Sequence, residues 1–172
     1  MKDATIKHQR EVQLVVFKIA NEEFGVSIAQ VREIVRLVPI TPIPRAPDFI
    51  EGVVNLRGQI IAVIDLSKRL DMPAAASTDK TRIIVVDVES NIVGMIVDEV
   101  TEVLRMAVDN ITAAPELISG ESKNRYITGV GKLEDRLLVL MDLAKVLSPE
   151  EVEDIRTAGV IGDKPTQAEK KK

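Results

Sequence analysis

The chain contains no cysteine and no tryptophan, one histidine, one tyrosine and three phenylalanines among 172 residues. Without cysteine there can be no disulfide, thiolate metal site or cysteine nucleophile. The single histidine, His8, stands in a polar stretch near the start. A Ser-His-Asp triad or a multi-histidine metal site therefore cannot be assembled within this chain. Aromatics at 2% and a formal net charge of −4 make a poor nucleic-acid binder. No run approaches the ~18 apolar residues of a membrane span. The opening MKDATIKHQRE lacks the apolar stretch of a secretory signal. The expectation is a cytoplasmic protein with no direct membrane insertion.

Apolar residues make up 45% of the chain, and with so few aromatics the core must be Val, Ile and Leu. The length suits one or two ordinary domains.

The chain repeats itself. Residues 49–70, FIEGVVNLRGQIIAVIDLSKRL, align without a gap over 126–147, YITGVGKLEDRLLVLMDLAKVL, with eight of 22 positions identical. Residues 14–36 align in the same way over 83–105, sharing Gly25/Gly94, Val31/Val100, Glu33/Glu102 and Arg36/Arg105. Matching order, spacing and glycine positions over two long blocks imply a duplicated unit, about 14–70 and about 83–147. Between the copies, MPAAASTDKT reads as a linker.

Each unit reads as β-rich. Glu11–Ile19 and Phe24–Ile28 flank a polar Asn-Glu-Glu turn, which suggests a hairpin. Residues 30–36 read as one or two helical turns, with Val31 and Ile34/Val35 on one face. Four prolines (Pro39, Pro42, Pro44 and Pro47) favour an extended crossing over 37–48. Ile50–Leu56 and Gln59–Leu66 flank Arg57-Gly58, a second hairpin. Ser67 is placed to cap a short helix to Leu70. Four or five short strands with one extended crossover suggest a small barrel. A unit near 60 residues buries little surface alone, so two barrels sharing a core, with strands open to exchange, are expected. Ser148-Pro149-Glu150-Glu151 predicts a C-terminal helix of about ten residues ending near Gly159. The tails, 1–10 and 160–172, are expected to be flexible.

Asp65, Asp87 and Asp142 each end an apolar run. Such an Asp either caps the next turn or, at the end of a parallel strand, serves as a phosphoacceptor or Mg²⁺ ligand. Two observations favour the cap: Asp65 and Asp142 are repeat equivalents, and the helices that join parallel strands are missing. Gly129-Val130-Gly131-Lys132 lacks the first glycine and the Ser/Thr of a phosphate loop, with Tyr126 and Leu133 in their places.

Glu33 and Arg57 stand out because their repeat equivalents are Glu102 and Glu134. Copy one can form an ion pair where copy two would place two like charges. A guanidinium fork so held would orient the hairpin tip for a partner. Gly58, without a Cβ, lets a partner's backbone approach, and its equivalent is Asp135. No nucleophile–base pair is present, which leaves binding as the work.

These residues resemble the CheW family of bacterial chemotaxis coupling proteins. The resemblance lies in VREI at 31–34, ITPIPRAPDFIEGVVNLRGQIIAVIDL at 40–66, VGMIVDEVTEVL at 93–104, AAPEL at 113–117 and YITGVGKLEDRLLVLMDL at 126–143. It covers about 11–159 as one CheW-like domain. Ala62 departs from the proline common in the family. The resemblance implies a mainly β fold: two five-stranded SH3-like barrels around a shared apolar core, with short helices. It also implies a non-enzymatic adaptor without cofactors. Such an adaptor couples the cytoplasmic tips of methyl-accepting chemoreceptors to the CheW-like regulatory domain of the histidine kinase CheA. It would be recruited to membrane-associated arrays and transmit signals towards the flagellar motor, or serve a non-flagellar chemosensory pathway. The receptor-binding residues it implies are Val31, Glu33, Asn55, Arg57 and Gly58, with Gly52, Val100 and Val103 lining a groove between the barrels. Leu117 is the implied kinase contact.

Overall fold

The computed structural model describes residues 10–114 and 125–157. Its strands, in chain order, are β1 (Glu11–Ile19), β2 (Glu22–Ser27), β3 (Val31–Arg36), β4 (Ile50–Leu56), β5 (Gln59–Asp65), β6 (Arg82–Val88), β7 (Asn91–Val97), β8 (Glu99–Ala107), β9 (Ile111–Ala113), β10 (Ile127–Lys132) and β11 (Leu137–Met141). They form two sheets, ordered β8-β1-β2-β11-β10-β9 and β3-β6-β7-β5-β4. These are two small barrels, and each takes its first hairpin from the other repeat: β1–β2 lies among strands of copy two, and β6–β7 among strands of copy one. In each, the donated hairpin is sealed by one parallel pair, β2 with β11 and β7 with β5.

Alternation of side chains explains why the strands read as continuous apolar runs. On β1, Leu14 and Val16 fill the core of one barrel, while Val15, Phe17 and Ile19 point into a layer shared by both. Their equivalents on β6 repeat the division: Ile83 and Val85 turn to the barrel's own core, and Ile84, Val86 and Val88 to the shared layer. Both faces of these strands are buried, so neither face needs polar residues. The shared layer holds most of the buried side chains, so two units that would each bury little surface alone share one core.

Thr41 makes a single bridge to Val53 in one barrel, and β9 pairs with 129–131 in the other. Val53 and Val130 are repeat equivalents, so Thr41 is the vestige of a strand that the surrounding prolines limit to one residue. One barrel therefore carries a short sixth strand.

Several local expectations change. Residues 31–36 form strand β3, not helical turns, with only a 3₁₀ turn at Ile28–Gln30 before it. Tertiary pairing with β6 overrides the helical spacing, helped by β-branched Val31, Ile34 and Val35. The first hairpin turns at Ala20-Asn21 (φ 53° and 69°), and Glu22 and Glu23 are already strand. The cap of the helical turn Leu66–Arg69 is Asp65, whose Oδ1 accepts from the Ser67 N–H at 3.0 Å and from the Ser67 hydroxyl at 2.6 Å. Arg10, assigned to the tail, is tied down: its carbonyl accepts from the Val108 N–H at 3.1 Å.

The helix Pro149–Thr157 starts on the expected capping box. Ser148 Oγ accepts from the Glu151 N–H at 3.1 Å, and Glu151 Oε1 accepts from the Ser148 N–H at 2.8 Å. Its Val152 and Ile155 are buried in the shared layer. The expected stop at Gly159 and residues 160–172 lie outside the described residues.

Candidate functional site

The β4–β5 hairpin has the two-residue turn Arg57-Gly58, with φ of 52° and 89°. Positive φ at both central residues is the type I′ geometry whose twist matches the flanking strands. Asn55 closes the turn, its Oδ1 accepting from the Gly58 N–H at 2.7 Å. Arg57 is thereby held outward in a conformation unusual for a side-chain-bearing residue. Its guanidinium pairs with the Glu33 carboxylate across from β3, the partnership expected from the sequence. The Arg57 side chain is 69% exposed, so the pair adds only about 0–1 kcal/mol of stability. Its effect is to aim a charged fork. Nothing lies within 4 Å of the position a Gly58 Cβ would take, so the tip is open to a close approach.

Copy two differs from the expectation of like charges. There the hairpin keeps the register of copy one, with Lys132 opposite Leu137, and the Leu133 N–H donates to the Arg136 carbonyl at 2.9 Å. Just past the turn stands Arg136, whose guanidinium meets Glu23 at 2.6 Å, Asp135 at 3.0 Å and Glu102 at 3.6 Å. Glu102 thus has a cation after all, supplied two positions beyond Glu134. Gapless alignment hides this, because the equivalent of Arg136 is Gln59.

The other candidates lie elsewhere on the strands. A bulge between Val31 and Glu33 sets Val31 opposite Val86, on the shared-layer side, and Glu33 opposite Val85, on the other. Val31 and Glu33 therefore leave β3 on opposite faces. A bulge in the β1–β8 pairing sets Val100 opposite Phe17 and Val103 opposite Val15. Both valines consequently share the face towards the shared layer despite odd spacing. Val100 packs on that layer and Val103 is 49% exposed. Gly52 is buried, with the Thr41 carbonyl oxygen only 2.1 Å from where a Cβ would sit. It is filled by its own chain and presents no surface. Leu117 lies outside the described residues.

Sequence reasoning missed Ile60, which is 55% exposed and directly opposite Asn55. Its repeat equivalent, Leu137, is 65% exposed. The signal was available: both follow a hairpin turn by the same register.

Asp65 and Asp142 are helix caps, each accepting from the N–H two residues on at 3.0 Å. Asp87 pairs with Arg32 at 3.0 Å. Gly129–Lys132 belong to strand β10. Among the described residues, no group of three or more His, Asp or Glu side chains could hold a metal. No helix among them is long and apolar enough to cross a membrane.

Residues 13–151 match the family described as CheW-like domain. Among curated proteins, the chain is 38% identical over 140 residues to Chemotaxis protein CheW of Klebsiella aerogenes, covering 81% of this chain and 84% of that one. It is 38% identical over 141 residues to Chemotaxis protein CheW of Rhizobium meliloti, covering 82% and 90%. Among solved structures it is similar to the scaffolding protein TtCheW from Thermoanaerobacter tengcongensis, with a TM-score of 0.74 and 35% identity over 84% of this chain and 92% of that chain. The likeness spans both barrels and agrees with the mainly β, SH3-like pair expected from the sequence. On residues, fold and relatives together, the chain belongs to the CheW-like family of chemotaxis scaffold proteins.

Proposed function

We propose that this chain is a non-enzymatic cytoplasmic adaptor that couples the cytoplasmic tips of methyl-accepting chemoreceptors to the histidine kinase CheA. It joins membrane-associated arrays and meets the kinase through CheA's own CheW-like regulatory domain. The observation that carries this reading is the Glu33–Arg57 pair, an exposed charged fork on a closed I′ hairpin with an open glycine beside it. A fixed fork of this kind selects orientation more than it adds affinity. Partly exposed Val31, Val100 and Val103, on the sides of β3 and β8 that face the shared layer, supply apolar contact for a receptor helix. Asn55 acts through the turn it closes. Gly52 acts by letting the 37–48 crossing lie close.

The test is CheA autophosphorylation in the presence of a receptor signalling fragment, with and without this protein. A large receptor-dependent change that Arg57→Glu abolishes is the expected result. No change, with neither partner bound by the wild-type chain, would refute the reading.

A further inference from the structure

The chain passes between the two sheets only twice among the described residues: at 28–30, between β2 and β3, and at Asp98, between β7 and β8. Each crossing is pinned by one polar side chain. At the first, Gln30 uses both ends of its amide. Its Nε2 donates to Asp142 Oδ1, and its Oε1 accepts from the Leu143 N–H at 3.0 Å. Those partners follow β11, in the sheet the chain has just left. At the second, the Asp98 N–H donates to the Lys18 carbonyl at 3.0 Å, and Asp98 Oδ2 accepts from the Ala20 N–H at 2.8 Å. Those partners lie at the end of β1 and in the β1–β2 turn.

The repeats diverge at these two positions. Gln30 has Glu99 as its equivalent, and Asp98 has Ala29. Packing of the duplicated strands therefore does not demand either residue. The chemistry demands each. The Gln30 amide donates to a carboxylate and accepts from an N–H at once, which an ionised carboxylate cannot do, and a Glu at position 30 would set two carboxylates together. Asp98 satisfies an N–H at a turn residue with positive φ that has no strand partner for it.

We propose that Gln30 and Asp98 are positioning residues that fix the angle between the barrels. Through it they set the spacing of Val31, next to the first crossing, from Val100 and Val103, just beyond the second. The link to docking rests on the reading above that these valines meet the receptor helix. The clamp itself does not.

The absence of cysteine makes the test clean. Nitroxides on Gln59→Cys and Glu134→Cys, both exposed and on different barrels, report the barrel-to-barrel distance in the full chain by pulsed dipolar spectroscopy. The parent should give one narrow distribution. Gln30→Glu and Asp98→Ala should each broaden or shift it, and Asp98→Asn, which keeps an acceptor oxygen, should restore it. Gln30→Glu and Asp98→Asn are near-isosteric, so the comparison survives if an alanine variant fails to fold. Parental distributions in Gln30→Glu and Asp98→Ala, with only melting temperature lowered, would overturn the proposal. So would an Asp98→Asn distribution as broad as that of Asp98→Ala. In unlabelled variants, affinity for a receptor fragment should fall for Gln30→Glu and not for Asp98→Asn. A parent that binds no fragment refutes the docking reading while the distances still decide the clamp.

Discussion

Replacing Gly52 by alanine should be among the most damaging single-methyl changes in the molecule. Gly52 sits at φ +146°, and an added Cβ would lie 2.1 Å from the Thr41 carbonyl oxygen and 2.7 Å from its carbon. The obstacle is backbone, which cannot rotate away. Thr41 is held there by two hydrogen bonds with Val53, each of 2.9 Å. Pushing it aside forfeits both, at about 1 kcal/mol each. The left-handed backbone adds strain of about 1–3 kcal/mol. The sum is roughly 3–5 kcal/mol, or a melting temperature lower by roughly 6–20 °C at the sensitivity of a chain this size. The duplication supplies a control. Gly129 meets the Thr112 carbonyl at 2.7 Å with no positive φ, so Gly129→Ala should cost only about 1–3 kcal/mol. Gly58→Ala, strained in φ but meeting nothing within 4 Å, should cost about 1 kcal/mol. Urea or thermal unfolding of the three variants reads the order directly. A Gly52→Ala protein within about 1 kcal/mol of wild type, or a costlier Gly129→Ala, would refute the steric argument.

Arg57→Glu should leave unfolding within about 1 kcal/mol of wild type, because the pair is exposed, while weakening receptor-fragment binding in titration calorimetry. The swap Glu33→Arg with Arg57→Glu should keep the fold and fail to restore binding if the partner reads the sign of the fork. Ile155→Ala should cost about 2–5 kcal/mol, since its side chain is fully buried in the shared layer. Leu137→Ala, at an exposed site, should stay within about 0.5 kcal/mol, both by denaturant unfolding. Tyr126 is the only tyrosine, and burial pushes its phenol above the ordinary value, with Asp71 adding to the rise and Arg69 opposing it. Keeping this phenol neutral contributes stability that is fully present below the unfolded value of about 10 and is lost as pH climbs through the folded one. Tyrosinate absorbance should therefore titrate above that value in the folded chain, and a midpoint at or below it would remove the burial argument.

Much of the site could be read in advance because its determinants are local. Arg57-Gly58 between two apolar runs specifies a tight hairpin, and the repeat comparison singles out Glu33 and Arg57 as a possible pair. Arg136 and Ile60 were not read. The first is missed because its repeat equivalent is the uncharged Gln59, so comparing only the equivalents of Glu33 and Arg57 does not meet it, and the second through exposure, which alternation alone does not reveal on strands apolar on both faces. The helical reading of 30–36 fails because spacing of apolar residues at three and four also arises from a strand with a bulge.

By itself the sequence determined that this is a duplicated, Val-, Ile- and Leu-cored β protein without cysteine and with a single histidine, and where its Arg57-Gly58 hairpin and final helix begin. Those features are written in composition, turn chemistry and caps, which act over a few residues. Only the tertiary structure decided that each repeat completes its barrel with the other's hairpin. The two hairpins are chemically near-equivalent, so pattern cannot assign them. The assignment follows from burying Val15, Phe17, Ile84 and Val86 in one common layer. It likewise decided that Val100 and Val103 share a face, because bulges set by pairing, and not by spacing, choose the side on which a side chain emerges.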